Sequence, residues 1–434
     1  MLKLISTTFF RQIFAGLCQI ITLIVIARTL SVAGMGQYTL AILIPSLLSQ
    51  VLSFGLQSVN IFSIGRKIVN EGQVLYVNLL SLLIISVLGV MGCFIFLFIG
   101  GKWAFPEVPI NFLYLATLSL IPLIFLTVLP SILQATQNFK IFNIICVIQP
   151  LIMLMVVLAV ITLHPDILSV LYAYTLANFL TFFIVLSILL VKIDVKYYSL
   201  KNFYKEFIGY SIKSHLSNIV TLLNYRSSLF ILGFFTSPIL VGIYTVGLQL
   251  VEKLWLPSQA VSTIFLPKLT HSLNDSSAKD LAKATIDIAR LTFIFTVLMG
   301  VILSFFLPMI INLLFGIEYE NSVIVALLLL PGILAWTPSR ILANDLAARG
   351  LANINLTNAC WVLVINIILS IILIPYFGIK GAAIATSIAY TSDLILRAYA
   401  FNKITDVNVM LNLLPQKSDL KLVIATLKGF RNVN

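Results

Sequence analysis

Residues 74–99 read VLYVNLLSLLIISVLGVMGCFIFLFI, a run without a single charge. A helix rises ~1.5 Å per residue, so ~20 apolar residues cross the ~30 Å hydrocarbon core of a bilayer. In lipid the backbone must satisfy its own hydrogen bonds, which leaves only helices and closed barrels. The apolar residues here are continuous rather than alternating, so the run is predicted to be a membrane-spanning helix. About a dozen blocks of this kind follow one another along the 434 residues, which are 60% hydrophobic and only 10% charged. Little is left for a soluble domain with its own core. The expected fold class is an all-α integral membrane protein.

The predicted spans are 9–30, 38–60, 74–99, 110–132, 140–163, 167–191, 208–235, 240–265, 290–315, 322–347, 354–375 and 379–400. Alternate loops differ sharply in charge. One set holds Arg66, Lys67, Lys140, Lys192, Lys196, Lys201, Lys205, Lys268, Lys279, Lys283 and Arg349; the other holds only Lys102 and Lys380 beside Glu107, Asp166, Glu318 and Glu320. Basic loops stay in the cytoplasm, so both termini are expected there, in a bacterial cytoplasmic membrane. The net charge of +12 is thereby explained by topology and contact with anionic lipid headgroups, and nucleic acid is not an expected partner. Cys18, Cys93, Cys146 and Cys360 fall in four different apolar runs, without a CxxC pair or a Cys/His cluster, so neither metal nor disulfide is expected.

The chain also reads as two copies of a six-span unit. Gly36-Gln37-Tyr38-Thr39-Leu40-Ala41 opens the second span and Gly242-Ile243-Tyr244-Thr245-Val246-Gly247 the eighth; Ala173-Tyr174-Thr175 in the sixth meets Ala389-Tyr390-Thr391 in the twelfth. An even number of spans per unit gives both copies one orientation, a parallel repeat about an axis normal to the membrane. The expected organisation is a lobe over 1–191, a basic and aromatic connector lying on the interface over 192–206, a second lobe over 207–400, and a cytoplasmic tail over 401–434. Within the tail, Leu420–Phe430 reads either as a short interfacial helix or as disorder.

Several of these stretches resemble one family. Residues 242–253, GIYTVGLQLVEK, followed by Ile264-Phe265-Leu266-Pro267-Lys268-Leu269, are similar to the seventh-to-eighth span region of bacterial polysaccharide transporters. Residues 374–386, IPYFGIKGAAIAT, with Asn366 upstream, resemble their penultimate hairpin, and Ala33-Gly34-Met35-Gly36-Gln37-Tyr38 with Phe54-Gly55-Leu56 their first. The family is the polysaccharide transport group of the multidrug/oligosaccharidyl-lipid/polysaccharide exporter superfamily, typified by Wzx-type O-antigen flippases. The resemblance implies a carrier of undecaprenyl-pyrophosphate-linked oligosaccharide, working by alternating access, with membrane lipids and possible polymerase and chain-length proteins as partners. Lipid II flippases usually carry extra C-terminal spans, so lipid II is the less favoured cargo. A multidrug antiporter on the same scaffold is a second alternative, against which the first lobe offers no mid-membrane acid. A scaffold that organises polymer enzymes without transporting is a third.

A sugar head and a pyrophosphate are strongly hydrated, and hydrocarbon offers them nothing. A carrier must supply a wet cleft with cations, and arginine pairs bidentately with phosphate oxygens. Ionisable residues inside spans are therefore the candidates. Arg226, in Asn224-Tyr225-Arg226-Ser227-Ser228, lies ~13 Å inside the seventh span, too deep for easy snorkelling. It reads either as the pyrophosphate anchor or as the ion-pair partner of Glu252, which in turn reads as that partner or as a proton or sodium coupling site. Arg28 is a cleft residue near the exit or a snorkeller. Arg340 and Asp345 read as a phosphate access patch or as helix-to-helix pairs; Asp393 and Arg397, four apart, can pair with each other. Gln57, Asn60 and Asn224, like Gln50 and Asn218, suit sugar hydroxyls or bonding between helices. His215 reads as a packing partner rather than a proton relay. There is no GxxxxGK[ST] phosphate loop, no catalytic triad and no metal-ligand set, so neither ATP, a cofactor nor enzymatic activity is expected beyond a possible coupling ion.

Overall fold

The computed structural model describes residues 2–262, 278–416 and 419, all helix and connecting turn. The helices are α1 (Leu2–Thr29), α2 (Val32–Val51), α3 (Leu56–Gly65), α4 (Glu71–Ala104), α5 (Ile110–Thr117), α6 (Leu120–Val128), α7 (Pro130–Ala135), α8 (Phe139–Ile161), α9 (Ile167–Lys192) and α10 (Leu200–Phe235). There follow α11 (Pro238–Glu252), α12 (Ala278–Leu314), α13 (Ser322–Ala348), α14 (Ala352–Thr405) and α15 (Val409–Asn412). The apolar run that opens the sequence argument lies within α4, which starts in a capping box: the Gln73 N–H donates to the Asn70 side chain and the Asn70 N–H to that of Gln73. Asp166 caps α9 by accepting from the Ser169 N–H at 2.7 Å, a bond that holds its carboxyl below the usual range.

Ten helical stretches among the described residues are long and apolar enough to cross a membrane. The seventh predicted span lies within the more polar α10 and is not one of them. Predicted spans eleven and twelve fall in one helical stretch, α14, whose backbone leaves helical geometry at Gly378 (φ 55°). The chain folds back there: a Cβ on Gly381 would overlap the carbonyl oxygen of Leu373. Phe98 and Phe305, at least 80% exposed on the flanks, present the apolar surface that a multi-pass protein offers to lipid.

Three segments differ from expectation. The second span is broken between α2 and α3, where Phe54 and Gly55 both have positive φ. The segment 278–289, read as loop, is the first three turns of α12; Leu281, Ala282, Ile286 and Ala289 bury one face. Only Ile193–Ser199 of the 192–206 connector is non-helical, since α10 begins at Leu200, and Phe203 is buried against the first lobe. The stretches 264–269 and 420–430, with half of the tail and His271, lie outside the described residues.

The buried side chains explain how the lobes meet. At the end of the bundle carrying Arg28, Glu107 and Glu318, one core is shared by both halves, joining Leu23, Met35, Leu40 and Leu113 to Val241, Tyr244, Ile311 and Leu329. At the basic end there are two separate cores. One gathers Leu56, Val74, Leu129 and Leu189; the other gathers Ile286, Leu342, Leu346 and Phe401. The halves thus share one apolar core at one end and have separate cores at the other, where Ser211 of α10 still donates to the Phe54 carbonyl.

Within the shared core the lobes are sealed by a backbone contact. Lipid tails are as apolar as leucine, so helices in a bilayer associate by close packing, which small residues permit. A Cβ on Gly36 of α2 would overlap the carbonyl oxygen of Pro238, and one on Gly242 of α11 would overlap that of Val32. The same 206-residue offset relates Gly36 to Gly242 and Val32 to Pro238, so each contact is the counterpart of the other.

Candidate functional site

Within the shared core α11 stops at Glu252, and a 3₁₀ turn, Lys253–Trp255, carries the chain onward, with Leu254 and Trp255 still in that core. Adjacent helical residues point in different directions, and here they serve different lobes. Glu252 faces Arg226 of α10, with Oε1 3.6 Å from Nη1. Lys253 crosses to the first lobe and donates to Oε1 of Gln19 at 2.9 Å. Arg226 is 37% exposed, so it borders open space rather than a core. Its ion pair with Glu252 is long, and Glu252 Oε1 has no hydrogen-bond donor among the described residues. That leaves the guanidinium with donors to offer an anion. Gln19, the partner of Lys253, also lines a cavity of about 200 Å³ with Thr22, Tyr38, Thr39 and Gln249.

Behind Arg226 stands an aromatic wall. The rings of Tyr225, Trp255, Trp336 and Tyr390 lie 5.0–6.3 Å apart. Trp255 Nε1, Trp336 Nε1 and the Tyr390 hydroxyl have no partner among the described residues. Arg340 flanks Tyr225 and makes no ion pair among the described residues.

The other sequence candidates are placed as follows. Asn224 is turned toward α14: its side-chain amide donates to the carbonyl of Ala359 at 3.0 Å and its backbone carbonyl accepts from Asn366 Nδ2. It belongs to a buried polar network in which Ser228 binds both Asn366 and Thr386, fastening α10 to both arms of α14. Asp345 accepts from Thr285 and pairs with Arg349, while Asp393 accepts from Ser339 and pairs with Arg397 at 2.8 Å. Neither carboxylate is near Arg226 in hydrogen bonding; both tie the second lobe together at its basic end. His215 packs on Phe54 at 5.8 Å, at the bend between α2 and α3. Gln57 and Asn60 lie inside the first lobe, Asn60 donating to Ser131 at 2.9 Å.

Arg28 reaches across the lobes. Its Nε donates to the carbonyl of Leu314 at 3.0 Å and its Nη2 to that of Leu313, at the C-terminus of α12. Those carbonyls lack helical donors and carry the negative end of the helix dipole. Next to it the Tyr319 hydroxyl donates to the Ala27 carbonyl at 3.2 Å. Removing Arg28 costs charge-assisted bonds of about 1.5–3 kcal/mol in all, moderated by exposure. Arg28→Ala is therefore expected to loosen the sealed end: a cysteine at position 39 should react several-fold faster with a membrane-impermeant thiol reagent. An unchanged rate would assign Arg28 no part in closure.

Sequence reasoning passed over Gln19, Gln249 and Lys253, which the structure brings together around the end of α11. It also passed over Arg290, which is 2% exposed and bridges Asp287 and Asp419 at 2.7 Å each.

Two helical lobes that share a core at one end and keep separate cores at the other, with cations at the junction, define a membrane transporter architecture. Solved structures agree on the fold: the lipid II flippase MurJ in an inward closed conformation superposes with a TM-score of 0.72 at 17% identity, covering 98% of this chain and 96% of that one. An inward-facing multidrug resistance MATE family transporter of the MOP superfamily gives 0.76 at 14% identity, covering 90% and 94%. The chain belongs to the polysaccharide biosynthesis protein family, whose model matches residues 1–266. It is 25% identical over 421 residues to the capsular polysaccharide biosynthesis protein CapF of Staphylococcus aureus, covering 93% of this chain and 100% of that one.

Proposed function

We propose that this protein flips an undecaprenyl-pyrophosphate-linked oligosaccharide, the repeat unit of an O-antigen or another surface polysaccharide, across the bacterial cytoplasmic membrane. The observation that carries the reading is Arg226, a part-exposed cation with a loosely held partner, close to the junction of the two lobes. The pyrophosphate binds Arg226, with Lys253 and Arg340 nearby, while the polyprenyl tail stays in lipid. The basic end is cytoplasmic, both termini lie there, and the cleft opens there. Twelve spans follow if α10 and the two arms of α14 each cross once, and the paired glycine contacts support the parallel repeat. Rocking breaks the seal at Gly36 and Gly242 and closes the basic end. Arriving phosphate displaces Glu252, which then takes up a coupling proton or sodium ion. The protein acts as a carrier and not an enzyme, and needs no cofactor beyond that ion; polymerase and chain-length proteins receive its product.

In cells with normal levels of the variant, Arg226→Ala is expected to lower polymer export at least tenfold. Arg226→Lys should keep part of it, since an ammonium holds the charge without the fork. Full export by the alanine variant would remove the anchor. Export intact with loss of drug efflux would favour a multidrug antiporter, and preference for lipid II over other glycan lipids would redirect the cargo.

A further inference from the structure

Inside the first lobe is a second polar cavity of about 250 Å³ between α3, α6, α7, α8 and α9. Its polar walls are Gln57, Gln134, Gln149, Thr127, Ser131 and Thr181. No cation or acid lines it. Gln57 and Gln149 are part-exposed and Gln134 is exposed, so their amides line a space that a polar group can enter rather than a closed core. Gln50 reaches only as far as Thr127, at 3.5 Å. Asn60, fully buried, positions Ser131 with its Nδ2 and leaves its Oδ1 without a partner among the described residues.

The backbone adds acceptors. Proline has no N–H, so Pro130 deprives the carbonyl of Leu126 of its helical donor and Pro150 deprives that of Cys146. Leu126 and Cys146 both border the cavity. At its margin the Arg11 guanidinium lies over the ring of Phe142, at 5.5 Å, and beside the Cys146 thiol.

We infer that this cavity is a glycan subsite, taking an uncharged sugar ring of the lipid-linked substrate while the pyrophosphate is held elsewhere. The chemistry selects the occupant. Glutamine amides and threonine hydroxyls both donate and accept, as sugar hydroxyls and N-acetyl groups do. A phosphate only accepts, and the carbonyl oxygens here would repel it. The volume is below that of drug-sized sites and suits one saccharide unit. This inference rests on the flippase reading and divides its substrate: charge to the second lobe, sugar to the first.

The test uses the purified full chain in lipid nanodiscs and two probes: undecaprenyl pyrophosphate, and the same lipid bearing one N-acetylhexosamine. Gln57→Leu combined with Gln149→Leu should weaken binding of the glycosylated probe at least tenfold and leave the bare probe unchanged, whereas Arg226→Ala should weaken both. A second readout leaves the cavity intact. In a Cys360→Ser chain, the glycosylated probe should slow alkylation of Cys146 several-fold and the bare probe should not. Equal effects on both probes, or no protection of Cys146, overturn the subsite while leaving the flippase reading standing. Failure of the unaltered chain to bind either probe overturns both.

Discussion

Gly36→Val is expected to abolish export while the protein still reaches the membrane. The seal between the lobes leaves no space for a side chain at this position, because the Pro238 carbonyl occupies it. A backbone neighbour cannot rotate away as a flexible side chain can. Either α2 and α11 separate or both shift, and overpacking of this kind costs about 1–3 kcal/mol. The folded core of each lobe survives that cost. The balance between two states of a carrier does not, since 1.4 kcal/mol already changes a population ratio about tenfold. The sealed state should become rare, and a cysteine at position 39 should be open to impermeant reagents from the far side. Gly242→Val should behave alike, and Gly36→Ala should do so more weakly. Gly92→Ala is the matched control, for nothing lies within 4 Å of a Cβ there. Export at the normal rate by Gly36→Val would show that the seal is not part of the cycle.

Asp393→Ala should have the largest effect on stability. Asp393 is 1% exposed and Arg397 7%, and the carboxylate accepts two bonds from Nε and one from Ser339. Arg397 also donates to Asn355 at 2.7 Å, so it cannot swing out to water without breaking that bond. Deleting one partner of a buried pair strands the other charge, at about 3–5 kcal/mol. The melting temperature of the purified variant should fall by several degrees, with reduced accumulation in cells. Combining it with Arg397→Met should recover much of the loss, because the two effects are not additive. A normal melting temperature in Asp393→Ala would mean that the charge is carried by solvent or by a partner instead.

The apolar runs made two spans legible almost to the residue, while others run longer in the structure, as α10 and α12 do. Expected 167–191 is Ile167–Lys192, and expected 322–347 is Ser322–Ala348. Continuous hydrophobicity is a local signal, and lipid enforces it. The start of α12 carried a signal that went unread, a helical period of apolar residues among lysines in 278–289. The bend at Phe54–Gly55 could be suspected from the glycine alone, yet nothing local shows that it abuts Ser211 and His215 of α10.

The candidate residues were legible by type more than by partner. The pairing of Arg226 with Glu252 was one of the two readings the sequence offered. The pairing of Lys253 with Gln19 joins residues 234 positions apart, and Arg290 with Asp419 joins residues 129 apart. The amide cavity needs five helices at once, so its glutamines looked like ordinary bonding between helices. Asn224 shows the converse: an attractive polar residue beside Arg226, it faces α14 and fastens α10 there.

Both partners in the glycine seal are main-chain atoms. Apart from the two glycines, the fit therefore makes no demand on side-chain identity: any residue can present the carbonyl that Val32 and Pro238 present, and only a change at Gly36 or Gly242 is felt across the joint.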